Sequence, residues 1–596
     1  MRNAEIALSI ISERGKKDKP IERIYRLLYN PELYLMAYKN IYANKGAMTK
    51  GANNETVDGM SMKKITEIID KVKRETYQWT PVRRTYIKKK NGKLRPLGLP
   101  TWSDKLLQEV MRIILDSYYD NQFSSKSHGF RKGKGCQTAL EAITHKGKWK
   151  SVKWFIEGDI ADCFGSIDHE ILINILKEKI RDNRFLRLIK YLLESGYMED
   201  WKYNKTLSGC PQGGILSPLL SNVYIDKLDR YVEKEIIPNY TKGKKRAKNK
   251  EYHRLLNQAE KYKKQKNWAT AKEVRKIAQK MPSKDPNDPN FKRLYYIRYA
   301  DDWLIGVSGR KAEAEEVKQK IAEYLQEKLR LRLSQEKTLI THARNEKARF
   351  LGYDMHVLHE NTKHDDRGQR IINGVIGLRV PRDKMQTKMS EYMAKGKPIH
   401  KKERTINSDY DIISQYQSEL RGFVQYYLPA YNAHQMSKVK RMMEISLAKT
   451  LANKYKTTVN KIFKKYKAIA ETEDGEYKVL QVKVERENKN PLIAQFGGIK
   501  MAFDKNATIT DTPKQIFNTK SQLIDRLTRN FCELCGATGN TAMHHVRKLK
   551  DLSKNGRNNK PEWMKRMIAM NRKTLAVCTE CHDKIYSGKY DKVKVH

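Results

Sequence analysis

Two adjacent carboxylates, Asp301 and Asp302, lie in the segment RYADDWLIG between apolar residues that favour buried strands. A third carboxylate, Asp159, ends the apolar segment WFIEGD. Carboxylates this close together stay ionised at low cost only when a cation lies between them. Mg²⁺ takes oxygen ligands, and two Mg²⁺ ions roughly 3.5–4 Å apart suit in-line phosphoryl displacement. If the two strands are neighbours in one sheet, the three aspartates predict such a site; solvated turn residues are the alternative.

A second group of reactive side chains lies near the C-terminus, where Cys532-X2-Cys535 and Cys578-X2-Cys581 form two pairs. Two such pairs in one segment are typical of a tetrahedral zinc site with four cysteine ligands, which folds a domain too small to bury much core. Four unrelated structural thiols are the alternative. The spacing therefore predicts a structural zinc ion.

The chain of 596 residues carries 120 Lys and Arg against 69 Asp and Glu, a formal net charge of +51. This excess predicts a polyanionic partner, nucleic acid first and an acidic membrane surface second. No window holds the roughly 18 apolar residues that a membrane span needs, and charge follows the N-terminal apolar patch too soon for a signal peptide. We expect a cytoplasmic protein, bacterial, with an organellar host left open, whose seven cysteines are thiols or metal ligands.

The elements that must position these residues alternate between strands and helices, over three or four domains. Asn91-Gly92 between alternating segments predicts a hairpin, followed by a helix that ends near residue 118. A buried strand is expected in 154–164, and two strands of one hairpin flank Asp301 and Asp302. Helices are expected over 169–180, within 209–236, over 311–330 and in most of 410–467.

One segment, residues 240–284, carries 16 Lys and Arg but only 3 Asp and Glu, with helix-forming residues and almost no aliphatic core. This composition predicts a solvated basic insertion. A disordered linker and a surface that tracks phosphates remain equal alternatives.

Segments spread along the chain resemble, in order, the motifs of group II intron-encoded reverse transcriptase/maturase proteins. They are NKGAMTKG…VDG, YIKKKNGKLRPLGLPTWSDKLLQEVMR, SHGFRKGKG, EGDIADCFGSIDHEIL, GCPQGGILSPLLSN, YADD and LRLSQEKTLITH…RFLGYD. SELRGFVQYYLPAYN…SLAKTLANKYK resembles the maturase domain of that family, and the terminal Cys/His segment resembles its endonuclease domain. The resemblance covers essentially the whole chain.

The resemblance implies a multidomain α+β fold. It comprises right-hand reverse transcriptase fingers and palm over 1–366 with a basic insertion at 240–290, a helical thumb/maturase domain (domain X) over 367–479, a DNA-binding region over 480–525, and a zinc-stabilised HNH (ββα-metal) domain over 526–596.

In the palm, the resemblance implies a catalytic Mg²⁺ site of Asp159, Ile160, Asp301 and Asp302. The residues implied to bind the incoming nucleotide are Lys89, Arg95, Phe164, Gln212 and Lys337. Phe164 matches the position that lies under the sugar and excludes a 2′-hydroxyl; a plain core phenylalanine is the alternative.

The sequence departs from the family in two places near this site. The usual Ile-Pro-Lys is Ile87-Lys88-Lys89, which adds charge near the triphosphate. The usual Phe-Asp is Phe164-Gly165, which removes a carboxylate that caps the next helix; we expect Ser166 or Asp168 to replace it. Neither departure touches the three aspartates.

The resemblance also gives the maturase segment an RNA-binding role. Its candidate contacts are Arg421, Tyr426, Lys449 and Lys454, because lysine pairs with phosphates and tyrosine stacks on bases. The alternative, which the residues alone favour for most tyrosines, is that tyrosine packs a helical bundle while lysine only solvates it.

In the C-terminal domain, the resemblance makes His545 the general base of an HNH nuclease, with a Mg²⁺ or Mn²⁺ ion held by His544 and His582. The family has a second histidine one turn after the His582 position, and here that residue is Tyr586, a poor ligand when neutral. Asn571 lies near the expected central asparagine but a few residues early. DNA cleavage is left open against a zinc module that only binds DNA.

Together these features predict an RNA-directed DNA polymerase and maturase. It would bind its group II intron RNA, assist splicing and copy the intron into DNA by target-primed reverse transcription during retrohoming. The implied partners are intron RNA, target DNA and dNTPs, without a membrane, for a monomer or homodimer. The alternatives are an RNA-binding splicing factor whose zinc domain only binds DNA, and another template-dependent polymerase.

Overall fold

The computed structural model describes residues 3–589 except for 45, 89–91, 93, 145–148, 201, 207, 286–287, 361–373, 474, 487–488, 505, 508–521, 548–551, 553–560 and 571. Helices and strands alternate along the described chain, in a mixed α and β architecture. Within these residues, no helix combines the length and apolar character that crossing a bilayer requires.

A five-stranded sheet, here called the central sheet, organises the first half of the chain. Its strands in spatial order are Leu339–His342, Trp154–Asp159, Asp302–Val307, Leu294–Tyr299 and Ser127–His128. Among the three middle strands, Asp302–Val307 runs antiparallel to both of its neighbours. All three are almost fully buried, as their apolar sequences predicted. The helices that share a core with this sheet are Trp102–Tyr119, His169–Lys177, Asn183–Glu194, Ser217–Tyr231 and Lys311–Leu329.

The predicted hairpin consists of Val82–Lys88 and Leu94–Leu99, paired in antiparallel register with Lys88 opposite Leu94. Asn91 of its turn lies outside the described residues. Tyr197–Glu199 and Lys202–Asn204 extend this sheet to four strands. The following helix begins after Thr101, whose hydroxyl accepts a hydrogen bond from the Asp104 amide, because the free amides of a first turn need such acceptors.

Helices pack around these two sheets at the N-terminal end. They are Ala4–Lys16, Pro31–Ile41, Met62–Lys73 and Cys136–Ile143. Short parallel strands, Ile21–Glu22 and Ile180–Arg181, join the first of them to the middle of the chain.

The basic insertion contains two helices, Lys250–Lys264 and Trp268–Gln279. Only the small side chains Ala259, Ala271 and Ala278 are buried within them, and most lysines face solvent. The segment is thus a solvated helical pair over these residues, so that the prediction of a basic insertion describes it better than a linker does.

The second half of the chain begins with the antiparallel strands Ala348–Phe350, Tyr353–Val357 and Ile376–Arg379. Helices follow at Arg382–Ser390, Asp409–Tyr427, Ser437–Lys454 and Val459–Tyr466. A three-stranded sheet, Lys467–Thr472, Gly475–Arg486 and Lys489–Phe496, packs on these helices through Leu480 and Phe496.

The three-stranded sheet of residues 467–496 crosses the predicted domain boundary between residues 479 and 480, which falls inside the strand Gly475–Arg486. Residues 480–496 therefore continue the core of the helical region instead of starting a new unit. The sequence concealed this because only Val479 and Leu480 are buried in Gly475–Arg486, so that the strand shows no apolar alternation.

The C-terminal domain has the helix Gln522–Thr528, the antiparallel strands Thr541–His545 and Thr574–Cys578, and the helices Glu562–Ala569 and Thr579–Tyr586. It contacts the N-terminal helices through a third strand, Met60–Ser61, which pairs with Thr541–His545. Ile524, Leu527 and Met543 join the same apolar core as Met60. The two ends of the described chain thus share one sheet.

Candidate metal and nucleic-acid sites

Three carboxylates meet at one end of the central sheet. Asp159 is the last residue of its strand, Asp302 is the first of the next, and the two are cross-strand partners. Asp301 occupies the turn before Asp302, next to Ala300 with a left-handed φ of 54°. Burial, a hydrogen bond with Asp159 and the charge of Asp301 raise the pKa of Asp302 to about 7. The sequence-based expectation that these strands are neighbours is met.

Lys337 reaches the same end of the sheet, with its Nζ 2.6 Å from Asp159 Oδ2. This hydrogen bond raises the pKa of the lysine, although its side chain is 66% exposed. Lys337 therefore neutralises part of the carboxylate charge in this structure. Ile160, also predicted at the metal site, has a buried side chain without donor atoms, so that only its backbone carbonyl can be a ligand.

A buried ion pair supports the carboxylate turn from below, and sequence reasoning missed it. Arg298 and Asp229 are both fully buried, with two hydrogen bonds of 2.7 and 2.8 Å between the guanidinium and the carboxylate. Arg298 also donates to the Ala300 carbonyl at 2.6 Å and to Ser127 Oγ at 2.7 Å. Because Ala300 precedes Asp301, the guanidinium fixes the backbone that carries the aspartates. The sequence did contain a signal for this pair, because Arg298 interrupts an otherwise apolar strand and a buried arginine needs an anionic partner.

Two of the predicted nucleotide-binding residues, Phe164 and Gln212, lie outside the strands of the central sheet. Phe164 is half-buried, with its ring edge-to-face on Phe130 at 6.5 Å between centroids. The side-chain amide of Gln212 donates to Asp162 Oδ1 at 3.3 Å. The backbone carbonyl of Gln212 accepts from the Gly98 amide at 2.6 Å.

Two more of the five predicted nucleotide-binding residues, Lys89 and Arg95, belong to the segment of the hairpin Val82–Lys88 and Leu94–Leu99. Arg95 is exposed there; burial raises the pKa of Asp301, and the charge of Arg95 offsets only part of that rise. Lys89 lies outside the described residues. The nucleotide-binding assignments stay predictions.

The departure at Gly165 has a structural counterpart. Asp168 caps the helix His169–Lys177 by accepting from the Ile171 amide at 3.0 Å, so that of the two expected caps Asp168 takes this role. Gly209 packs directly on Gly165 with a φ of 91°; a Cβ there would lie 2.8 Å from the Gly165 Cα. The PQGG loop therefore lies against the Phe164–Gly165 segment, because both contact residues lack side chains.

The predicted RNA contacts are mostly engaged inside the protein. Lys454 pairs with Asp409 at 2.6 Å, and Lys449 donates to the Pro398 carbonyl at 2.8 Å. Tyr426 is half-buried and donates to the Leu351 carbonyl at 2.7 Å. Arg421 is exposed. The packing alternative describes Tyr426, whereas the two lysines bind protein acceptors; RNA contact at all four residues stays a prediction.

The four cysteines of the C-terminal domain converge. One Sγ from each of Cys532, Cys535, Cys578 and Cys581 lies within 4.8 Å of the others. The amides of Cys535 and Cys581 each donate to the sulfur three residues earlier, at 3.5 Å. Four sulfurs at this spacing form a donor set that could bind zinc.

The three predicted nuclease histidines do not share one pocket. His544 and His582 lie together, with ring centroids 5.4 Å apart. His545 points to the opposite face of its strand, because successive residues alternate, and it is almost fully buried. Its Nε2 lies 3.0 Å from the Tyr38 hydroxyl, and burial lowers its pKa to about 4. In this arrangement the predicted general base is covered by the N-terminal helices; Asn571 lies outside the described residues.

An unexpected carboxylate joins the histidine pair. Asp58 Oδ1 lies 3.2 Å from His582 Nε2 and 3.5 Å from His544 Nδ1. Burial opposes ionisation of Asp58, but its contacts with His544, His582 and the His545 amide lower its pKa overall. Tyr586 donates a hydrogen bond to the other oxygen, Asp58 Oδ2. The sequence alone gives this aspartate of the VDG segment no role.

Three family models match successive parts of the chain. Residues 87–355 match the family described as reverse transcriptase (RNA-dependent DNA polymerase), 378–532 match type II intron maturase, and 532–582 match AI2M/AI1M-like HNH endonuclease.

The chain is also similar over its length to curated proteins. It is 38% identical to the group II intron-encoded protein LtrA of Lactococcus lactis subsp. cremoris, over 98% of this chain and 99% of that relative. It is 32% identical to an uncharacterized 91 kDa protein in the cob intron of Schizosaccharomyces pombe, over 99% of this chain and 73% of the relative. The chain belongs to the group II intron-encoded proteins with reverse transcriptase, maturase and HNH domains, which act in splicing and retrohoming.

Proposed function

We propose that this reverse transcriptase copies its own intron RNA into DNA at a nicked DNA target, with Asp159, Asp301 and Asp302 holding two Mg²⁺ ions. The carrying observation is the cross-strand pair of Asp159 and Asp302 beside Asp301, since converging carboxylate oxygens suit Mg²⁺. Bound Mg²⁺ would neutralise charge at the attacking 3′-hydroxyl and the leaving pyrophosphate. Arg298 holds the turn, and Lys337 balances Asp159 until a triphosphate arrives.

In this proposal the central sheet is the palm, the Val82–Leu99 hairpin belongs to the fingers, and the helices from 382 to 466 form the thumb and maturase surface. The net charge of +51 supports a long RNA partner, because phosphate neutralisation supplies much of nucleic-acid affinity. Target DNA would contact the region after residue 480, and dNTPs would enter beside Phe164 and Arg95.

The proposal is tested by extending a DNA primer on an intron RNA template, alongside a splicing assay of the same preparation. Synthesis from dNTPs together with splicing is expected. Splicing without any synthesis would favour an RNA-binding splicing factor with an inactive palm. Strong preference for rNTPs would favour a different template-dependent polymerase.

Replacement of the ring under the sugar is expected to relax sugar selection. In Phe164→Val, rNTP incorporation relative to dNTP should rise about tenfold to a hundredfold, because an apolar wall that rejects one hydroxyl contributes on this scale. Single-nucleotide extension with each sugar measures the ratio. Tyr191→Val, which removes an exposed ring on another helix, should leave the ratio unchanged; an equal ratio in Phe164→Val would make this residue a plain packing residue.

We also propose that the four cysteines hold structural zinc. Cys535→Ser should lose the ion and the protease resistance of the C-terminal domain, because zinc supplies roughly 10–16 kcal/mol to small zinc modules. Cys535 is exposed, so that the substitution itself opens no cavity. Metal analysis and limited proteolysis measure both effects, with Cys136→Ser as the thiol control. Full zinc content in Cys535→Ser would contradict the four-cysteine site.

A further inference from the structure

The C-terminal domain supplies only two histidines to its candidate ion, because Tyr586 lies where its family has another. In the structure, a carboxylate from another part of the chain lies beside the two histidines. Asp58, from the loop before Met60, reaches between His544 and His582 with a side chain that is 4% exposed. One ligand atom from each of these three residues lies within 4.8 Å of the other two.

The orientation of these groups favours a ligand over a salt bridge. Asp58 Oδ1 faces both imidazoles, while Oδ2 accepts from the Tyr586 hydroxyl. Both ring nitrogens of His544 are buried and lack a well-formed hydrogen bond among the described residues, with Nδ1 at 3.5 Å from Asp58 Oδ1. A buried imidazole nitrogen that lacks a partner carries a cost, which coordination of a metal ion would remove.

The backbone holds Asp58 in this place independently of its side chain. The Gly59 amide donates to the Met543 carbonyl at 3.1 Å, and Met60 pairs with Met543 in the shared sheet. Gly59 has a φ of 76°, which other residues adopt only with strain. The His545 amide donates to Asp58 Oδ1 at 2.8 Å. The carboxylate is therefore fixed by backbone contacts before any ion binds.

We propose that Asp58, His544 and His582 form a divalent-cation site that joins the N-terminal region to the C-terminal domain. The inference rests on the assignment of an HNH ion to His544 and His582, and adds a ligand from a distant part of the chain. Two imidazoles and one carboxylate are a common ligand set for Zn²⁺ and other first-row ions. Tyr586 acts as a positioning residue, since its hydrogen bond to Oδ2 turns Oδ1 toward the ion.

Mn²⁺ titration of the full-length protein, followed by pulsed electron paramagnetic resonance, tests this site. Coupling to imidazole nitrogen distinguishes an ion at the histidines from one at Asp159, Asp301 and Asp302, which offer only oxygen. We expect one nitrogen-coupled Mn²⁺ per chain. Asp58→Ala should weaken its binding at least tenfold, and Tyr586→Phe should weaken it less. Asp70→Ala removes the same charge from the next helix and should have no effect.

Asp58→Asn guards against loss of folding, because its amide oxygen still accepts from the His545 amide. Zinc content and primer extension, measured in parallel, report whether the cysteine site and the polymerase remain intact. Unchanged Mn²⁺ affinity in both Asp58 variants, with loss in His582→Ala, would overturn the role of Asp58 but keep the HNH ion. Absence of any nitrogen-coupled Mn²⁺ in the wild-type chain would overturn both, and neither result would bear on the polymerase.

Discussion

Asp301→Asn is expected to reduce cDNA synthesis by about a thousandfold or more, equivalent to about 4 kcal/mol of barrier, while splicing persists. The amide keeps the shape of the turn but removes a negative ligand where two cations would have to be held. Asp301 precedes Asp302, the cross-strand partner of Asp159, so that the substitution removes one of three carboxylates grouped at this end of the sheet. Primer extension under single-turnover conditions measures the loss.

Asp200→Asn is the matched control for this experiment. It makes the same chemical change at an exposed position on the turn between Tyr197–Glu199 and Lys202–Asn204, and should leave synthesis unchanged. A splicing assay on the same preparations checks that Asp301→Asn still folds and binds RNA. Synthesis within tenfold of wild type in Asp301→Asn would remove the carboxylates from the catalytic centre.

The second large effect is expected from Asp229→Asn, which should destabilise the reverse transcriptase region by about 3–5 kcal/mol. The substitution leaves the guanidinium of Arg298 charged and fully buried without its carboxylate partner. Asp229 also accepts a hydrogen bond from the Tyr296 hydroxyl. This second buried hydrogen bond would weaken when its acceptor loses the negative charge. Urea unfolding, followed by a probe in the central sheet, measures the shift in midpoint.

Two further variants separate burial from charge. Glu251→Gln breaks an exposed ion pair with Arg254 in the basic insertion and should cost less than about 1 kcal/mol. The double change Asp229→Leu with Arg298→Met removes both charges and should restore much of the stability. Polymerase activity should nevertheless stay low in the double variant, because the Ala300 carbonyl loses its donor. A stability equal to wild type in Asp229→Asn would contradict the importance of this pair.

The elements that could be predicted from sequence are those with a strong local pattern. Trp154–Asp159 is a mainly apolar strand that ends in a carboxylate, Asp302–Val307 is one that begins with a carboxylate, and buried strands of this kind pair with one another. The Cys-X2-Cys spacing predicted that the four cysteines converge, and their sulfurs do lie within 4.8 Å of one another. Asp168 was foreseen as a cap because helix starts need a side-chain acceptor three residues before a free amide.

The features that escaped prediction depend on partners far away in the chain. Nothing in the VDG segment indicates that Asp58 meets His544 and His582, because the strand that joins them, Met60–Ser61, is too short to show a period. The contacts of Lys449 with the Pro398 carbonyl and of Lys454 with Asp409 also escaped prediction, because these acceptors lie more than 40 residues away in the chain. His545 was assigned by motif, and only the docked N-terminal helix reveals that it is covered.

The strand shared by Met60–Ser61 and Thr541–His545 has a consequence for dissecting the activities of this protein. Removing the C-terminal domain would strip hydrogen-bond partners from a strand edge and uncover Met60 and Tyr38, which are fully buried in the intact chain. A shortened chain that synthesises DNA poorly would thus report damage at the opposite terminus, not a catalytic contribution of the deleted part. Point substitutions in the intact chain therefore separate DNA synthesis from the role of the C-terminal domain. Truncations change both at once.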